Sequence, residues 1–168
     1  MAKRTTSVMD DDQEVSANAL DALMETDYAN LPEVIDTIPS GTWKLAARNA
    51  AWKDKTETQS AKALVFYIPS EPLSDVDPET LSQLGDYDFT NNQIVFTKYV
   101  ENLRDIKALM QFIALHGVDL EGLSPKAALK KLRGKEIIAS VGSRSYQGQF
   151  GTVNENTVSN FAKVGDEE

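Results

Sequence analysis

Basic and aromatic side chains alternate with apolar ones along the predicted strands, and this pattern has the clearest chemistry in the sequence. In a first strand from Thr42 to about Trp52, Trp43, Leu45 and Ala47 alternate with Lys44, Ala46 and Arg48. That is the period-two signature of a half-buried strand. With Trp43 and Leu45 inward, Lys44, Arg48 and, without a bulge, Trp52 point outward. Lys53 and Lys55 follow in the turn, and Tyr67, Lys98, Tyr99, Arg144, Tyr146 and Phe150 fall near other strand ends. Single-stranded nucleic acid is held by this mixture. Cations track the phosphates, and rings stack on the bases for roughly 1–3 kcal/mol each, whatever the base. The plainer alternative is that Trp43, Phe66 and Phe96 are core and the lysines are solvated surface.

A second basic patch lies on a predicted helix, Ser124–Arg133. Lys126, Lys130 and Arg133 recur at i, i+4 and i+7, hence on one face, with Leu129 and Leu132 opposite. Such a face can guide a phosphate backbone or simply be the solvated side of a helix that caps the sheet. The acidic pairs Asp75-x-Asp77 and Asp86-x-Asp88 and the run Asp10–Asp12 lack the glycine and terminal glutamate of a calcium loop, and we expect no metal site. His116, the one histidine, cannot form a paired relay and reads as structural. No nucleophile motif is present. The expectation is therefore no catalytic residue, no cofactor and no enzyme.

The elements that position these residues follow from turn and cap chemistry. Leu31-Pro32 and Ile38-Pro39-Ser40-Gly41 are turns. The second strand is Ala61–Ile68, ended by Pro69 and Pro72, and an acidic loop with a turn of helix at Pro78–Leu84 comes next. A third strand spans Gln93–Tyr99. Asn102 caps a helix from Leu103 to His116 that Gly117 stops. Ser124-Pro125 opens the basic helix, which ends at Arg133 with Gly134 as its terminating glycine. Lys135–Gly142 is the fourth strand and Tyr146–Gln149 a turn. Phe150–Val153 and Val158–Val164 close the sheet, with a kink at Asn154-Glu155-Asn156. Residues 1–38 read as a largely disordered acidic arm containing a short amphipathic piece, Ala17–Met24. Residues 39–164 are the folded domain, with 71–88 an acidic insertion, and 165–168 are an acidic tail.

Charge is unevenly spread. The net charge of −9 comes from the arm, at −7, and the tail, at −3. The folded segment carries fifteen Lys/Arg against fourteen Asp/Glu; without the six acids of 71–88 it has fifteen against eight, or +7. A nucleic-acid partner is thus compatible with a low isoelectric point, because the local field governs association. The absence of cysteine, of a leader and of a long apolar run points to the cytoplasm.

The order of these pieces resembles a bacteriophage family of small OB-fold single-stranded DNA-binding proteins. The matching segments are Ile38-Pro39-Ser40-Gly41-Thr42-Trp43-Lys44-Leu45, the helix Leu103–Gly117, Leu132-Arg133-Gly134-Lys135-Glu136-Ile137-Ile138-Ala139-Ser140-Val141 and the Asn/Gly-rich hairpin Gln149–Phe161. The resemblance implies a mainly β, five-stranded OB-fold barrel with helices inserted between strands 3 and 4. It also implies non-catalytic, largely sequence-independent binding of single-stranded DNA in replication and recombination, in the host cell cytoplasm. Replication or recombination proteins are expected partners of the acidic ends, no membrane is, and oligomeric state stays open. The acidic arm and loop support one alternative from a different class, a protein-binding module such as an assembly factor or DNA-mimic inhibitor.

Overall fold

The computed structural model describes residues 17–165. The chain divides between Ile35 and Asp36 into two units. In the first, α1 (Ala17–Met24) takes up the short amphipathic segment, followed by a 3-10 turn at Tyr28–Asn30. The acidic run Asp10–Asp12, with Glu14, and the final acids Asp166 to Glu168 lie outside the described residues.

The second unit is built on five strands: β1 (Gly41–Lys53), β2 (Lys62–Pro72), β3 (Ile94–Tyr99), β4 (Glu136–Gly148) and β5 (Gly151–Ala162). They form one antiparallel sheet in the order β3-β2-β1-β4-β5. Helix α2 (Pro78–Leu84) lies between β2 and β3, and α3 (Leu103–Leu115) and α4 (Pro125–Lys130) lie between β3 and β4. No helix among the described residues is long and apolar enough to cross a membrane.

Period-two burial fixes the inner face. Trp43, Leu45 and Ala47 of β1, Ala63, Val65 and Tyr67 of β2, Ile94 of β3, and Ile137, Ala139 and Val141 of β4 are all buried. Directly opposed residues share a face, so the register carries this assignment across the sheet. Two departures matter. In β1 the register shifts between Ala47 and Asn49, making Arg48 the extra residue of a bulge. In β5 it shifts opposite Ile138/Ser140, where Asn160 takes φ 52, a conformation that Asn tolerates better than most side chains. The bulge at Asn160 replaces the kink expected at Asn154–Asn156, which instead pair regularly with Ser145–Ser143. β2 also runs past Pro69. Beyond Tyr67 it has β1 alone as a partner, and proline is tolerated where a strand lacks a second neighbour.

The sheet has two ends, and they approach each other. Phe96 of β3 and Phe161 of β5 meet edge to face at 4.9 Å, and each also contacts Phe112 of α3. Helix α3 is capped reciprocally. Asn102 Oδ1 accepts from the Asp105 N–H at 2.9 Å, and Asp105 Oδ2 accepts from the Glu101 N–H at 2.9 Å. This is the logic of a capping box. Ile38 is buried, and Asn156 binds it twice. Its Oδ1 accepts from the Ile38 N–H at 2.9 Å and its Nδ2 donates to the Ile38 carbonyl at 3.2 Å. The sheet-bearing unit thus begins before the expected boundary at 38/39.

His116 caps α3 from inside the core. Its Nδ1 lies 2.9 Å from the Phe112 carbonyl oxygen, and its Nε2 lies 2.8 Å from the Tyr67 hydroxyl. A carbonyl only accepts, so Nδ1 carries the proton and Nε2 accepts from Tyr67. That neutral tautomer satisfies every partner. Burial pushes the imidazole down to about 4 from 6.5 and the Tyr67 phenol upward. Between those two histidine values the unfolded chain binds a proton that the folded chain refuses, so stability falls as pH drops. From pH 7 to 5 the expected loss is about 2 kcal/mol, read from urea midpoints. In His116→Gln the midpoint stays flat over that range. An equally steep loss in the variant removes His116 as the cause.

Candidate functional site

The register places the sequence candidates on different surfaces. Across β1, β2 and β3, Lys53 opposes Lys62, which opposes Tyr99, so these three form one row on the outer face. The Lys62 ammonium sits 5.9 Å from the Tyr99 ring centroid, and Tyr99 is 56% exposed. The next outward rows are Ala51, Leu64 and Thr97, then Asn49, Phe66 and Val95. Val95 is 44% exposed, so an apolar strip continues the row away from its cations. Lys44 occupies the same face further along β1, 3.8 Å from Glu71.

Beside Phe66 the outer face is indented. A cleft of about 340 Å³ is lined by Arg48, Asn49, Phe66, Gln93 and Arg133. The β1 bulge supplies Arg48. Arg133 is delivered by the connection before β4, which is tied to β1 at two points. The Gly134 N–H donates to the Ala47 carbonyl and the Ala47 N–H donates to the Lys135 carbonyl, each at 2.8 Å.

Three expected site residues do not share this face. Tyr67 is fully buried, with its hydroxyl held by His116. Lys98 opposes buried Ala63, which gives it the inward parity of β3. Trp52 also opposes Ala63, because the extra residue at Arg48 inverts the parity of everything after it in β1. Its indole lines a cleft of about 610 Å³ with Ala61, Val100, Leu103, Ile106 and Pro125, and its Nε1 donates to Asp54 at 2.8 Å. Lys55 lies in the exposed β1–β2 turn. Phe66, core in the plainer reading of the sequence, lies on the outer face, whereas Trp43 is in the core as both readings had it, donating its indole N–H to the Pro39 carbonyl at 2.9 Å.

Arg144, Tyr146 and Phe150 form a separate patch. β4 leaves β1 at Val141, and Gly142–Gly148 pair with β5 alone. This ribbon turns at Gln149-Phe150, not at Tyr146–Gln149, and Phe150 at its tip is 95% exposed. Arg144 is paired with Glu155 at 2.5 Å and lies 5.8 Å from the Tyr146 ring, so its charge is largely compensated. Between Lys53 and Arg144 lie roughly 50 Å of strand path at about 3.3 Å per residue. The single surface expected from the sequence is therefore divided, with Trp52 and Lys98 on the inner side of the sheet and Arg144 and Tyr146 on the β4–β5 ribbon.

The second basic patch also divides. α4 ends at Lys130, with Lys131 as its cap, so Arg133 falls outside the helix. Lys126 lines the Trp52 cleft, Arg133 lines the Phe66 cleft, and Lys130 is exposed. Leu129 and Leu132 are buried as expected.

Acids of the 71–88 insertion are used locally. Asp75 accepts from the Thr42 N–H and hydroxyl, each at 2.8 Å, which holds its carboxyl below the usual range. Asp77 caps α2, and its bond from the Thr80 hydroxyl lowers its pKa as well. Asp88 accepts from Thr90. The Asp75 bonds dock the loop on β1, where Val76 is buried against Gly41; a Cβ on Gly41 would come within 2.7 Å of Val76 Cγ2. Among the described residues no three His, Asp or Glu side chains converge as a metal site would require.

Lys62, Leu64 and Gln93 also stand on this face, although the sequence did not single them out. The signal was present in Lys62-Ala63-Leu64-Val65-Phe66-Tyr67, whose alternation is regular. Its inward set became readable only once the register tied Ala63, Val65 and Tyr67 to the core. No protein-family model matches the chain, and no characterised protein matches it as a relative.

Proposed function

We propose that the protein binds single-stranded DNA, without catalysis and largely irrespective of sequence, and keeps it unpaired during phage-type replication or recombination in the host cytoplasm. The observation that carries this reading is the outer face of β1–β3. There the row Lys53–Lys62–Tyr99 leads through Leu64 and Val95 to Phe66, Arg48 and Arg133. Cations for phosphates stand beside rings and apolar side chains for bases, which is the composition that single strands need. The fold behind it is proposed to be an OB-type barrel. Its support is the strand order, the helices between β3 and β4, and the Phe96–Phe161 contact between the two ends of the sheet.

The test is anisotropy with a labelled oligo-dT strand and the matching duplex. The single strand binds and the duplex competes weakly. Tyr99→Ala loses about 1–3 kcal/mol of binding, whereas Trp52→Ala, on the other face, stays within about threefold of the parent. A Trp52 effect that exceeds the Tyr99 effect would move the site to the Trp52 cleft.

A further inference from the structure

The tip of the β4–β5 ribbon and the Trp52 cleft are complementary. Phe150 is 95% exposed, so its ring is not seated on its own chain. It stands in the two-residue turn Gln149-Phe150, between Gly148 and Gly151, and two flanking residues without side chains keep the tip narrow. No charged residue occurs from Ser145 to Asn154. The cleft, at about 610 Å³, falls within the range of ligand pockets, roughly 300–1,000 Å³. Trp52 forms one wall, and Leu103, Ile106 and Leu109 of α3 with Pro125 and Leu129 of α4 form the others. Its two charged lining residues, Glu101 and Lys126, are of opposite sign, so a neutral tip meets a neutral cleft. A charged occupant would lose its hydration there, whereas a ring gains apolar contact and an aromatic neighbour in Trp52.

We infer that Phe150 of one copy of this chain seats in the Trp52 cleft of the next, head to tail. Register places the two features apart. β1 and β4 run antiparallel from Gly41↔Val141 to Ala46↔Glu136. From that block β1 continues one way to Trp52, and β4 continues the other way to Gly148. Each copy therefore offers one tip and one cleft. A contact between unlike patches leaves a free tip at one end and a free cleft at the other, so it propagates where a two-fold dimer would close. A ring and a short turn bury less than the roughly 1,200 Å² of a stable complex. The contact is accordingly weak between free copies and strengthens where copies are held side by side. The row Lys53–Lys62–Tyr99 has the opposite parity from Trp52 and takes no part in the cleft. The contact stands without the single-strand reading; where that reading holds, neighbouring copies fill a long strand cooperatively.

Sedimentation velocity of the full chain, from micromolar to near-millimolar concentration, tests it. The average mass of the parent is expected to rise with concentration and to pass that of a dimer. Phe150→Ser and Leu103→Glu each weaken this association by at least about tenfold. Both side chains are exposed, Leu103 at 67%, and an unchanged melting temperature in each variant confirms its fold. An equimolar mixture of the two variants has one intact tip and one intact cleft, so it is expected to form pairs and nothing larger. A parent that stays monomeric throughout overturns the contact, as does one that stops at the dimer. A Leu103→Glu variant that associates like the parent overturns the cleft as the tip's seat. Titrating oligo-dT separates this result from the single-strand reading. The parent should prefer a long strand that holds several copies over a short one that holds a single copy. Both variants should lose that preference and keep the short-strand affinity. Self-association without any binding of oligo-dT removes the single-strand reading and leaves the head-to-tail contact standing.

Discussion

Raising monovalent salt from 50 to 200 mM is expected to weaken oligo-dT binding by roughly 100-fold. Five cations stand on or beside the outer face of β1–β3: Lys44, Arg48, Lys53, Lys62 and Arg133. Each phosphate neutralised on a single strand contributes about 0.7 to the slope of log affinity against log salt. Five contacts give a slope near −3.5, and a fourfold rise in salt then costs about two orders of magnitude. Lys44 already holds Glu71 at 3.8 Å, and a bound phosphate would compete with that carboxylate. The double variant Lys53→Gln/Lys62→Gln should flatten the slope by about 1.4. Lys126→Gln/Lys130→Gln, on α4, should leave it unchanged. If the α4 pair controls the slope and the strand pair does not, the bound strand lies along the helices.

Phe161→Ala is expected to cost about 3 kcal/mol of stability. Its ring touches Phe96 and Phe112 at 4.9 Å and Tyr67 at 6.2 Å, so one truncation empties the junction of β5, β3 and α3. For a chain of this length the melting temperature drops by about 10 °C. The location of the damage is more telling than its size. β3 pairs with β2 alone, and Phe161 is its link to the far end of the sheet. Amide exchange in Phe161→Ala should therefore quicken first in Ile94–Tyr99. Exchange that quickens instead across Trp43–Ala47 would mean that the two ends of the sheet do not support each other.

Much of this fold could be read from the chain. Caps at Asn102 and Ser124, the stop at Gly117 and the alternation of Trp43, Leu45 and Ala47 are local signals, and each was sufficient for its part of the fold. The candidate surface was less legible, because a face depends on register. One extra residue at Arg48 sends Trp52 to the opposite side of the sheet, and nothing in Ala47-Arg48-Asn49-Ala50-Ala51-Trp52 announces that bulge. Tyr67 looked like a half-exposed aromatic at a strand end. Its burial follows from His116, forty-nine positions away, a pairing that no local pattern encodes. The length of the β4–β5 hairpin was hidden in the same way. Ser143–Gln147 are polar enough to read as loop and turn, and Asn154–Asn156 as a kink, and they are strand because they pair across.

That hairpin has a consequence beyond binding. Beyond the Ser145–Asn154 rung its two strands depend only on one another, through pairs such as Tyr146–Val153 and Gln147–Thr152. Adding or deleting one such rung keeps every inward and outward assignment below it and leaves Trp43 and Leu45 undisturbed. How far Phe150 reaches is therefore a quantity that selection can adjust in small steps while the capacity to fold stays constant.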